Sequence, residues 1–173
     1  MTAYFFPDNT ALINFHIIER WDLLAATVDG LGQWCGSVAR ECQNSTASGY
    51  AGMYESAASV FGDPIYPEPA EHVDTRVVRQ NLADPTDDWP TKHLGEAETI
   101  AIAVSRFHGS RFITDDLGAR DAAVAAGIRC YGTGDLLVVA ERHLSLVTTS
   151  QRSALESRLK SARRTIRYYC FNP

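Results

Sequence analysis

Asp8, Glu41, the pair Glu96 and Glu98, and the pair Asp115 and Asp116 are the side chains whose type and setting could do chemistry. Taken singly, each has an ordinary reading. An Asp after a strand caps the next helix, an acid in a first helical turn complements the helix dipole, and Glu41 alone reads as a solvated residue. Gathered at one rim they become costly, because two unit charges about 5 Å apart repel by roughly 3 kcal/mol at an effective dielectric near 20. No Lys or Arg stands among residues 8–14, 96–103 or 112–116 to offset this. A divalent cation is the usual answer, and oxygen-only donors without Cys or His select Mg²⁺ or Mn²⁺ over zinc. Mg²⁺ also uses substrate phosphate as a ligand.

The elements that would position these acids are legible at both ends of the chain. Ala3 to Phe6 is an apolar, aromatic run consistent with a buried strand that Pro7 ends, leaving Asp8 at its carboxyl end. A helix follows, with Leu12, Ile13, Ile17 and Ile18 at helical spacing through about Arg20, and a second covers Trp21 to Val28. Ser37 to Cys42 begins another helix, which carries Glu41. Ala97 to Phe107 has an apolar stripe of Ile100, Ala103, Val104 and Phe107. Arg111 to Thr114 then reads as a strand ending in Asp115-Asp116, Arg120 to Ala126 as a helix capped by Gly127, and Ile128 to Tyr131 as a strand. Helix, strand, helix, strand at this pace predicts an α/β domain with a central parallel sheet flanked by helices on both faces. Function in such sheets collects at the carboxyl ends of the strands, where Asp8 and Asp115-Asp116 would lie, and the Glu96-Glu98 helix must start at that same end.

Between Asn44 and Leu94 the pattern weakens. Helices are expected near Met53 to Val60 and over Val73 to Leu82, with a polar loop from Ala83 to Lys92 that contains Asp84-Pro85 and Trp89-Pro90. Gly132-Thr133-Gly134 reads as a turn.

At 173 residues with 45% hydrophobic and 21% charged composition, the chain suits one domain with a single core. There is no apolar run of about 18 residues to span a bilayer, and Met1 to Asp8 lacks the basic start and long apolar stretch of a secretory signal, so a cytoplasmic protein is expected. Cys35, Cys42, Cys130 and Cys170 are widely spread, with no zinc-finger spacing, and read as reduced thiols. The chain has no H-x-x-x-H, G-x-S-x-G or P-loop, which removes the usual signatures of zinc proteases, serine hydrolases and NTPases. A phospho-receiver domain needs paired acids after its first strand, and Asp8 stands alone there.

Four segments resemble the motifs of the PIN domain family. Residues 8–14, Asp-Asn-Thr-Ala-Leu-Ile-Asn, are similar to its opening motif, an Asp followed two positions later by Ser, Thr or Asn and then an apolar helix. Val38-Ala39-Arg40-Glu41 resembles the second, a helix with an acidic residue, and Glu98 to Ala103 the third, an acid before an Ile/Ala-rich helix. Phe112 to Asp116 resembles the fourth, a strand ending in Thr-x-Asp. The resemblance covers about residues 3–140 and is loose between Asn44 and Leu94. It implies a single PIN-like domain and a metal-dependent endoribonuclease that forms no covalent intermediate. Asp8, Glu41, Glu98 and Asp116 would be the catalytic acids, with Asp8, Glu98 and Asp116 as metal ligands and Thr10 placing a ligand water or a phosphate oxygen. Two motifs each hold two acids, so Glu96 and Asp115 stand as the second choices. Gly95 to Glu98 and Thr114 to Asp116 are phrased like subfamilies of toxin components, which implies a toxin-antitoxin pair, a protein antitoxin as partner and often a homodimer. An RNA-processing nuclease outside such a pair, or a PIN-like binding module with little turnover, are the alternatives.

Charge is unevenly distributed. Residues 151–173 hold six basic residues against the single acid Glu156, while the rest of the chain nets −10. The organisation expected is a PIN-like domain over residues 1–145 and a basic amphipathic C-terminal helix over 146–173. Leu155, Leu159, Ala162 and Ile166 would form its apolar stripe. Lys160, Arg163, Arg164 and Arg167 would then share one flank, suited to the phosphates of an RNA substrate or to an acidic partner segment.

Overall fold

The structure is a computed structural model and describes residues 3–83 and 92–171. Three short strands, β1 (Phe5–Pro7), β2 (Arg111–Ile113) and β3 (Arg129–Tyr131), form a parallel sheet in the order β1-β2-β3. The register pairs Phe5 with Arg111 and Arg111 with Arg129, so all three strands end level and deliver Asp8 and Thr114 to the same rim. β1 ends at Pro7, which is itself paired, opposite Ile113. The ladder's next donor is the Asp8 N–H, 2.9 Å from the Ile113 carbonyl. On the free side of β1, Phe5 donates to Leu31 and accepts from Gln33, so the chain at 31–33 covers that edge.

Parallel pairing requires crossovers, and helices supply them. α1 (Asn9–Ile18), α2 (Trp21–Val28), α3 (Gly36–Ala47), α4 (Met53–Phe61), α5 (Pro69–Leu82) and α6 (Leu94–Arg106) lie between β1 and β2, α7 (Leu117–Ala125) lies between β2 and β3, and α8 (Thr133–Arg142) and α9 (Thr149–Ser161) follow. The product is a single α/β domain, in which α1 packs on α3, α4 and α9, α2 on α4 and α8, and α6 on α3, α5 and α7. Phe6, Leu12, Phe15, Phe112 and Ile113 fill the space around the sheet, and Trp34 is enclosed with Tyr54 and Phe61. The four cysteines are free, three of them buried. Among the described residues no helix is long and apolar enough to cross a membrane.

Several expected boundaries move, each for a local reason. α5 begins at Pro69 and not at Val73, because Glu71 reaches back to the Glu68 N–H at 2.7 Å and Pro69 suits the first helical position. α6 is buried on nearly every side from Ala97 to Ala103, while Val104, expected in its stripe, is exposed. Gly132-Thr133-Gly134 is not a free turn but the start of α8. The Asp84-Pro85 and Trp89-Pro90 part of the expected loop lies outside the described residues.

The largest correction concerns the C-terminus. The helix expected through Arg167 stops at Ser161, since Arg163 takes a left-handed backbone (φ +55°). The Arg163 N–H then donates to Lys160 and the Arg164 N–H to Leu159, both at 2.9 Å, the pairing of a Schellman motif. Residues 162–171 continue as an extended strap across α8. The Asp115 carboxylate accepts from the Arg167 N–H at 2.8 Å, and Asp135 from the N–H groups of Tyr169, Cys170 and Phe171 at 2.8 to 3.0 Å. A Cβ on Gly132 would stand 2.2 Å from the Arg167 carbonyl oxygen, and one on Gly134 would stand 2.5 Å from the Tyr168 ring, so the strap's path depends on both glycines. Arg163, Arg164 and Arg167 therefore do not share a helix flank with Lys160.

Candidate functional site

Asp8 follows β1 in extended conformation and serves as N-cap of α1. Its Oδ1 accepts the Thr10 N–H at 2.7 Å, and its Oδ2 accepts the Thr10 hydroxyl at 2.7 Å and the Thr114 hydroxyl. These bonds fix the orientation of a carboxylate that is only 3% exposed. The Thr114 hydroxyl also accepts the Asp116 N–H at 3.0 Å, so one side chain couples Asp8 to the start of α7. Asp116 caps that helix through Oδ1, which accepts the Ala119 N–H at 2.8 Å. Thr114 was visible only as the first letter of the Thr-x-Asp motif. Its role as the link between the two acids comes from the parallel register.

Two further carboxylates reach the same rim. Glu41 projects from α3 against the first turn of α6, where the Gly95 N–H hydrogen-bonds its carboxylate. Burial, followed by the charges of Glu96 and Asp8, pushes the Glu41 carboxyl from an ordinary 4.5 up to about 8. Glu96 is likewise raised, by burial first and then by the Asp8 charge, with Asp116 adding and His93 opposing. Asp8 is raised mainly by burial, against its Thr114 and Thr10 hydrogen bonds, with Asp116 adding. Asp8 and Glu96 thus each feel the charge of Asp116, and Glu41 feels those of Asp8 and Glu96, although the four come from the end of β1, α3, α6 and the β2 to α7 turn. Among the described residues no Lys or Arg lies within 4.0 Å of any of them.

Gly95 is what permits Glu41 to approach. A Cβ there would lie 2.8 Å from Glu41 Oε1 and 3.1 Å from its Oε2. Gly95→Ala should therefore leave α6 intact, since Ala is the better helix former, while displacing the Glu41 carboxylate. We expect Mn²⁺ affinity, read by calorimetry, to fall by about 10- to 100-fold, the scale for disturbing a support of a metal site. Parent-like affinity would show that Glu41 takes no part.

The remaining predicted acids are placed elsewhere. Both oxygens of Glu98 are held by Ser37, Oε1 by its N–H at 3.0 Å and Oε2 by its hydroxyl at 2.8 Å, so Glu98 caps the start of α3. Glu96 feels the charges of Asp8 and Asp116, while Glu98, held by Ser37, still adds its charge to that felt by Glu41. Two residues along a helix are about 200° apart, so only one of the pair can point into the cleft. Asp115 turns away from Asp116 into the core. It accepts from Asn14 Nδ2 at 2.8 Å, from the Thr133 N–H at 3.1 Å and hydroxyl, and from the strap's Arg167 N–H. Burial raises its carboxyl to about 6. Asp115 is thus the pin that joins α1, α8 and the strap. Asn14, Thr133 and Asp135, its partners in that work, carried no recognisable sequence signal beyond the glycines around Thr133.

Of the basic residues in the tail, Arg152 is bound to Glu141 and Glu156, and Arg158 to Glu19. Lys160 is exposed on α9. Arg167 contributes its backbone N–H and C=O to the docking of the strap. Arg164 instead folds back toward the acids. Its Nε donates to Asn14 Oδ1 at 2.8 Å, and a terminal nitrogen donates to the Thr10 carbonyl at 3.2 Å. Thr10, Asp115, Asp116, Arg163, Arg164 and Thr165 line a cleft of about 180 Å³ beside the cluster.

Among the described residues no three His, Cys, Asp or Glu side chains converge on one point as a preformed cage. The donor set still fits a hard divalent cation. The carboxylates of Asp8, Glu41, Glu96 and Asp116 supply oxygen alone, and the imidazole nitrogen His93 Nδ1 stands 3.8 Å from Glu96 Oε1.

A family model described as a PIN domain matches residues 6–165. A search of curated proteins and one of solved structures give no match.

Proposed function

Because this chain belongs to the PIN domain family, whose members are generally nucleases that use divalent metals, we propose that it hydrolyses RNA phosphodiester bonds with Mg²⁺ or Mn²⁺ held by Asp8, Glu96 and Asp116. The supporting observation is the meeting of four carboxylates from four separate elements at the carboxyl end of the sheet, each of Asp8, Glu41 and Glu96 raised in part by its neighbours' charge. When bound, the ion lowers the pKa of a water and offsets charge on the departing oxygen. The chain's own groups do the rest. Thr10 and Thr114 hold the Asp8 carboxylate in place, as outer partners of metal ligands do. Glu41, which the bound ion would strip of its proton, takes the proton of the attacking water as its oxygen bonds to phosphorus and the ester oxygen leaves.

This assignment separates two neighbouring acids. Glu96→Gln should abolish Mn²⁺-dependent cleavage while leaving melting temperature equal or higher, because it removes a repelling charge. Glu98→Gln should instead cost stability, about 1–2 kcal/mol for a weakened cap at the start of α3, and retain cleavage in the folded fraction. Denaturant titration beside an RNA cleavage assay checks both. Cleavage surviving in Glu96→Gln and lost in folded Glu98→Gln would return the ligand role to Glu98.

The biological setting we propose is the toxin half of a toxin-antitoxin pair, cytoplasmic, restrained by a protein antitoxin and assembled as a homodimer. Its support is the phrasing of residues 95–98 and 114–116. Growth arrest on expression, relieved by the adjacent gene, is the expected result. Unimpaired growth with active enzyme would favour RNA processing outside such a pair.

A further inference from the structure

Arg164 is a charged side chain whose partners in the structure are neutral. Its two hydrogen bonds go to an amide oxygen and a backbone carbonyl, and among the described residues no carboxylate lies within 4.0 Å of its guanidinium. Arg152 and Arg158 of the same tail are both in ion pairs, so the exception is local to the strap. The backbone that delivers it is also unusual. Arg163 is non-glycine at φ +55°, a strained conformation that persists where surroundings over-determine it. Those surroundings are Asp115 and Asp135, two buried carboxylates that hold the strap by four backbone N–H groups. The outcome is a set placement of Arg163, Arg164 and Thr165 in the lining of the cleft, together with Thr10, Asp115 and Asp116. At about 180 Å³ the cleft has room for a phosphate group.

We propose that this cleft is a phosphate subsite in which Arg164, with Arg163 at its rim, binds a phosphodiester of the RNA chain adjacent to the bond being cut. The proposal rests on the metal-dependent hydrolase reading. Two of the guanidinium nitrogens are used on Asn14 and Thr10, which sets the plane and leaves donors for a phosphate oxygen. Cation and acids divide the work, since the carboxylates would face the metal while the strap faces the polyanion. The strap is then part of the site, not a distant basic tail.

The test uses full-length protein with Arg163→Gln and Arg164→Gln, a short single-stranded phosphorothioate RNA read by anisotropy, and the Mn²⁺-induced rise in melting temperature. Each variant should bind the RNA about tenfold more weakly and lower the slope of log affinity against log salt by about 0.7, the amount per phosphate contact on a single strand. The Mn²⁺ response should be unchanged in both. Arg163 makes no side-chain bond to the body among those described, so Arg163→Gln answers even where Arg164→Gln folds poorly. Parent-like RNA affinity and salt slope in Arg163→Gln and in folded Arg164→Gln overturn the subsite. So does loss of the Mn²⁺ response alongside RNA binding, which marks Arg164 as a structural tie. A parent that cuts RNA while both variants bind normally refutes the subsite and keeps the hydrolase. A parent that binds through these arginines and cuts nothing refutes the hydrolase and keeps the subsite.

Discussion

Asp8→Asn should give a protein that folds at least as well as the parent and cleaves RNA at least about 10³-fold more slowly, the scale of losing a principal electrostatic contribution to the transition state. The two halves of this expectation have separate causes. Asn caps a helix about as well as Asp, so its side-chain oxygen can keep the Thr10 N–H, and the hydroxyls of Thr10 and Thr114 can accept from the new amide. Removing the charge also relieves a buried carboxylate whose ionised form is opposed by burial and by Asp116. A more stable, inactive variant is the signature of a site that trades stability for function. Single-turnover cleavage and thermal melting, each without and with Mn²⁺, read the two halves. Asp8→Asn should also lose most of the Mn²⁺-induced rise in melting temperature, by linkage of binding to folding. A variant that melts several degrees lower and cuts at the parental rate would show that Asp8 is only a helix cap.

The metal-free protein should lose stability as pH rises from about 4.5 to about 8. Glu41 holds its proton up to about 8 in the folded state, while an unfolded chain releases it near 4.5. Across that window the native state binds more protons, so the slope of unfolding free energy with pH is negative, and the loss is complete above the folded value. At about 1.4 kcal/mol for each tenfold difference in proton affinity, the interval from 4.5 to about 8 sets a ceiling near 5 kcal/mol. Asp115, raised to about 6, slopes the same way, whereas His16, lowered by burial, slopes the other way. The diagnostic quantity is therefore the difference between parent and Glu41→Gln, measured by denaturant titration with chelator present. Metal reverses the trend, because the ion must displace that proton. The Mn²⁺-induced rise in melting temperature should grow between pH 5 and 8, with protons released on binding. Superimposable pH profiles for parent and Glu41→Gln would mean that Glu41 does not carry the shifted proton.

The strand, turn and helix around Asp8 and around Asp116 were legible because local patterns coincide there with tertiary structure. Short apolar runs end at an Asp, an amphipathic helix follows, and the parallel register then sets the two ends level. The ambiguity at Glu96-Glu98 is of a different kind. α6 is buried on almost all sides, so its apolar pattern has no clear phase, and the partner that claims Glu98 is Ser37, 61 residues away. The C-terminus departs from its helical pattern without a local signal, because a left-handed residue that ends a helix is usually Gly, and here it is Arg163. The spacing of Leu155, Leu159, Ala162 and Ile166 is helical throughout, yet Ala162 is exposed and Ile166 packs from the extended strap. What overrides the pattern is the set of backbone bonds to Asp115 and Asp135, which no local window contains. The same bonds explain why Gly132-Thr133-Gly134 resembles a turn. The glycines are there for close approach of another chain segment.

The central claim is that divalent metal at the Asp8 cluster drives phosphodiester hydrolysis. The most direct measurement is single-turnover cleavage of end-labelled single-stranded RNA by the parent and by Asp116→Asn, first in excess chelator and then after Mn²⁺ is restored to the same sample. The expected result is no cleavage in chelator, internal cuts by the parent once Mn²⁺ returns, and none by Asp116→Asn under either condition. Cleavage by the parent in chelator, equal cleavage by Asp116→Asn, or intact RNA throughout with Mn²⁺ bound would each contradict it.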